Sequence, residues 1–158
     1  MTAGGSVLIR RLALLLVSLC LIEFMLGMGL NLFVSLTRHH PGATGSNYFS
    51  QSVQSVVWGL SHGGLLPFHV GLGMLIFLAS VRLAVAAFLA PQLGLRSVAV
   101  VGAVAVLAAG FNGASFLDFN QDFSSMLMAV LFAVAVFCFS LILARMTSPA
   151  PGRVPRRA

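Results

Sequence analysis

The chain has no lysine, one tryptophan, one tyrosine and only three acidic residues, Glu23, Asp118 and Asp122. Nine arginines complete its charge, so 8% of the 158 residues are charged and 59% are hydrophobic. A soluble domain carries about a quarter charged residues, because a water-facing surface needs them. Their scarcity here excludes an ordinary soluble enzyme, and the mean hydropathy of +1.03 excludes a disordered chain. A pI near 11.5 would suit nucleic acid, but scattered arginines without lysine make no basic stripe, so no nucleic-acid partner is expected. The two cysteines, Cys20 and Cys138, lie inside apolar runs. They read as small core residues and not as an exported disulfide.

What the chain does have is long apolar runs. A helix needs about 20 apolar residues to cross the hydrocarbon core, and four segments qualify, at about 12–36, 64–90, 97–117 and 123–144. None alternates strictly, which argues against a transmembrane barrel. Arg10 and Arg11 ahead of the first run resemble the start of a secretory signal. The run is longer than the roughly 7–15 residues of a signal core and no small-residue cleavage site follows, so a retained span is expected.

Arginine placement predicts orientation. Arg10, Arg11, Arg82, Arg96, Arg145, Arg153, Arg156 and Arg157 fall on one side of a four-span arrangement, and only Arg38 on the other. Arginine collects on the cytoplasmic side, so both termini are expected inside the cell membrane. The fold expected is all-α: an integral membrane four-helix bundle, up-down-up-down, forming one domain over 1–146. Residues 147–158 are expected to be a disordered basic cytoplasmic tail. In the outer loop 37–63, Phe49, Val53, Val56 and Leu60 recur at helical spacing with Ser and Gln between them. This predicts a short amphipathic surface helix over 48–61; the alternative is a second span that starts near Val53.

Polar groups inside a bilayer are costly, and each needs a reason. Glu23 lies near the midplane of the first span, with Gly27 and Asn31 at i+4 and i+8. It is expected to serve as a proton site or to bond a cofactor, or else to be a carboxyl bonded to a neighbouring helix. His62 and His69 are seven residues apart and share a face if the helix is continuous. Asn112 and Ser115 end the third span, one turn apart, where they can bond across helices. Gly110 and Gly113 leave room there for a backbone or a flat ligand. Asn31, His62, His69, Asn112, Ser115, Asp118 and Ser125 fall in the outer third, with Glu23 beneath them. The inner half is almost wholly Ala, Val, Leu and Phe. A site that opens outward over an acidic floor is therefore expected.

The stretch Ile-Glu-Phe-Met-Leu-Gly at 22–27 and the stretch Phe-His-Val-Gly-Leu-Gly at 68–73 resemble one half of haem A synthase, a cytochrome b-like four-helix haem bundle. The resemblance implies haem b as a cofactor, with His69 as a ligand of the haem iron and Glu23 close to the macrocycle. A methionine among Met25, Met28, Met74, Met126 and Met128 would be the opposite ligand, since spans three and four contain no histidine. His62, Asn31, Asn112 and Ser115 complete the candidate cofactor-binding set. No catalytic residue is assigned. Three function classes follow: a haem-binding or electron-transfer protein; a non-catalytic accessory or assembly subunit of a membrane complex, bound to other proteins or to copies of itself; and a small proton-coupled transporter using Glu23.

Overall fold

The computed structural model describes residues 3–33, 47–119 and 122–147. Arg38, His39, His40 and the tail after residue 147 lie outside the described residues. The described chain is helical and contains no strand. Its α-helices are α1 (Ala3–Phe33), α2 (Tyr48–Ser61), α3 (Leu66–Leu89), α4 (Arg96–Phe119) and α5 (Asp122–Thr147), with a single 3-10 turn at Pro91–Leu93. All but α2 are long and apolar enough to cross a membrane, the pattern of a multi-pass membrane protein.

Local chemistry sets the breaks between helices. Asn47 caps α2, its side chain accepting from the Ser50 N–H at 2.9 Å. The helix stops at His62, and Gly64 follows at φ +82°, a conformation that side-chain-bearing residues rarely adopt. Pro67 then stands in the first turn of α3, where its missing N–H costs no bond. Separate helices over 48–61 and from 66 onward are therefore found, and not a second span beginning near Val53. Between α3 and α4, the Pro91–Leu93 turn closes on Gly94 in the left-handed region, at φ +61°.

The four long helices form a closed ring of neighbours, α1 against α3, α3 against α4, α4 against α5 and α5 back against α1, while α2 lies on α3 and α4. The ring has two chemically distinct ends. At one, Ile9, Leu16 and Cys20 of α1 pack with Ile76, Leu83 and Ala87 of α3, Ala99 of α4, and Phe139 and Ile142 of α5. This end is the arginine end, and its buried residues are apolar apart from Ser80, whose hydroxyl donates to the Phe77 carbonyl at 2.7 Å. The other end holds the buried polar groups Glu23, Ser52, Ser55, Ser115, Asp118 and Ser124.

Candidate functional site

The buried stripe of α1 runs Ile9, Leu12, Ala13, Leu16, Cys20, Glu23 and Leu30. Most of these lie three, four or seven residues apart, the spacing of one helix face, and the stripe carries Glu23, the one acid of α1, to the inside of the ring. Opposite it, α3 presents His69 and Gly73. Glu23 Oε1 lies 2.9 Å from His69 Nδ1, although the ring N–H is not in line with the oxygen, and neither Nδ1 nor Glu23 Oε2 has a hydrogen-bond partner among the described residues. Glycines make the approach possible. A Cβ on Gly73 would stand 3.3 Å from Glu23 Oε1, and one on Gly27 would stand 3.4 Å from His69 Cε1. The carboxyl is the more deeply buried partner: the side chains of His69 and Glu23 are 23% and 9% exposed.

The other expected members of the set do not join this pair. Asn31 is exposed on α1. Eight residues at 3.6 per turn leave it about 80° around the helix from Glu23, so an i+8 residue is a poor partner even where i+4 is a good one. His62 does not share a face with His69, because the break at residues 62–65 puts them in different elements. It is exposed and stacks on Trp58, with ring centroids 4.4 Å apart. Asn112 turns back on its own helix and donates to the Ala108 carbonyl at 2.8 Å. Ser115 does bond across helices, but to the Tyr48 hydroxyl on α2.

Ser115 thus belongs to a second polar cluster, which includes Asp118 and one group the sequence did not single out, Ser55. The Ser55 hydroxyl of α2 donates to Asp118 Oδ1 of α4, and both residues are buried. Asp118, one residue past the expected end of the third span at 117, lies inside α4. The inward face of α2 is its small and polar one, Ser52, Ser55 and Gly59, whereas Phe49, Val53, Val57 and Leu60 point away from the ring. A Cβ on Gly59 would come within 3.1 Å of Val70 Cγ2, so this glycine sets how closely α2 can lie on α3. The spacing of Ser52, Ser55 and Gly59 at i, i+3 and i+7 was the available signal for that face.

Nothing in the arrangement of the described residues supports a haem or metal site. No group of three or more His, Cys, Asp or Glu that could hold a metal ion occurs among the described residues. Met25, Met28, Met74 and Met126 are exposed on the outside of the ring, and Met128 is near Gly113, whose Cβ would stand 3.2 Å from its Sδ. Comparison with protein families, with curated proteins and with solved structures finds no match. No match supports the likeness of the two short motifs to haem A synthase.

Proposed function

We propose that this chain is an integral protein of the cell membrane, an up-down-up-down bundle with both termini in the cytoplasm, and that Glu23 and His69 form a site that takes up and releases a proton. The observation that carries the reading is the 2.9 Å approach of His69 Nδ1 to Glu23 Oε1 within the apolar length of α1 and α3. An ionisable group at such a position marks a proton or ion pathway more often than a packing device. The pair offers two seats for one proton, the ring nitrogen and the carboxyl. Glu23 Oε2, unpartnered among the described residues, is a further seat. His69, the more exposed partner, is the one that exchanges with the surroundings, and Glu23 is the interior store.

The arrangement of the bundle is supported by two features. Glu23, Gly27 and Gly29 of α1 meet Gly73, His69 and Leu65 of α3 in that order, so the two helices run in opposite senses. Among the described residues the arginines, Arg10, Arg11, Arg82, Arg96 and Arg145, gather at the apolar end, as cytoplasmic positive charge requires. Reporter fusions at Ala158 and within residues 42–47 test the orientation. Activity of an export-dependent reporter at Ala158 would reverse it.

The proton site is tested in liposomes. With a pH-sensitive dye enclosed, the wild-type protein is expected to relax an imposed pH gradient, Glu23→Gln to abolish that flux, and His69→Gln to slow it. Infrared difference spectra should contain a carboxyl band that vanishes in Glu23→Gln. A wild-type protein with neither flux nor a titrating carboxyl band would remove the reading.

A further inference from the structure

The contact between α2 and α4 leaves oxygen atoms in want of a partner, at a place separate from Glu23 and His69. Ser52 and Asp118 are 2% and 7% exposed. Ser55 spends its proton on Asp118 Oδ1, which leaves its own oxygen lone pairs available. Asp118 Oδ2 and Ser52 Oγ are buried without a hydrogen-bond partner among the described residues. Ser52 and Ser55 are one turn apart on the inward face of α2, and Tyr48 and Ser55, on either side of Ser52 along that helix, both bond side chains of α4. On the same two helices, Tyr48 and Ser115 bond one another and close the cluster at one edge.

A buried carboxylate must be matched by a positive group, and a buried hydroxyl by a partner. Among the described residues no arginine or histidine pairs with Asp118; the ion pair they form is His69 with Glu23. The donors are all hard oxygens, with no imidazole or thiolate, which selects against transition metals. There is one carboxylate, where calcium wants about six to eight oxygens with several of them charged. One negative charge and neutral hydroxyls suit a monovalent cation. We propose that Asp118, Ser52 and Ser55 bind a sodium ion that pins α2 onto α4.

The test uses the full-length protein in detergent, with choline chloride replacing sodium chloride at equal ionic strength. The thermal midpoint is expected to rise with sodium and to saturate, because the ion binds the folded state alone, and radiolabelled sodium should bind at one per chain. Asp118→Asn should lose both effects. Ser52→Ala should weaken sodium binding roughly tenfold or more, as loss of one oxygen from an ion's surroundings does. Ser61→Ala, at the exposed end of α2, should change neither. Should Asp118→Asn fail to fold, the wild-type salt series and Ser52→Ala still decide. Equal midpoints in sodium and choline would overturn the site and leave a water in its place. So would sodium binding that neither substitution alters, or stabilisation by calcium but not by sodium.

Discussion

His69→Ala is expected to lower the stability of the bundle by about 1–3 kcal/mol, the cost of leaving a buried polar group without its partner. The cost arises at Glu23, not at residue 69. The carboxyl is buried, its Oε2 has no hydrogen-bond partner among the described residues, and His69 Nδ1 is the group that faces Oε1. Removing the ring leaves Oε1 without that group. Two variants separate this account from simple loss of packing. His69→Gln, which keeps a polar hydrogen-bonding end, should recover part of the loss. The double variant Glu23→Leu/His69→Leu should be more stable than His69→Ala, because it removes the carboxyl along with its partner. Cys20 and Cys138 are the only cysteines and both are buried and free, so a thiol-reactive fluorophore reads unfolding directly. Equal midpoints for His69→Ala and wild type would show that the pair contributes nothing to holding α1 against α3.

Gly102→Ala is expected to cost about 1–3 kcal/mol, the usual effect of overpacking a well-filled interior. A Cβ on Gly102 would stand 2.7 Å from Phe139 Cε1 and 3.2 Å from Cys138 Cβ. The Phe139 ring is fully buried and has no free side to move toward, so α4 and α5 must separate. Gly110→Ala, on the same helix, meets nothing within 4 Å and should be neutral or slightly stabilising, since alanine favours helix over glycine. Phe139→Leu should relieve the clash and make the second substitution less costly than it is alone. The same thermal measurement checks all three. If Gly102→Ala and Gly110→Ala behaved alike, close α4–α5 packing at Gly102 would not be what stabilises that end.

The four apolar runs were legible because length and hydropathy are one-dimensional properties of the chain. Apart from α1, which begins at Ala3 and not near residue 12, the long helices begin and end within a few residues of the expected spans, and α2 begins where helical spacing placed it, at Tyr48. Depth was legible too: the apolar end and the polar end of the ring follow from where Glu23, His69, Ser115 and Asp118 fall along their runs. Grouping those residues into one site was not, since depth says nothing about direction around a helix. Asn31, His62 and Asn112 share the level of the pair but point elsewhere.

The sequence by itself determined the number of apolar helices, their limits and the level of each polar group, since a bilayer-length apolar run is costly to place anywhere but in an apolar medium. Only the tertiary structure decided which faces meet. In a water-soluble helix the inward face announces itself by being apolar. In these helices the outward face is as apolar as the inward one: Leu14, Leu15, Leu21 and Phe24 point out while Leu12, Leu16 and Cys20 point in. In lipid, no difference in hydrophobicity drives the choice; close packing and hydrogen bonds do. Those depend on register between helices, which sets Gly73 and Gly27 against Glu23 and His69 and lays the serine face of α2 on Asp118.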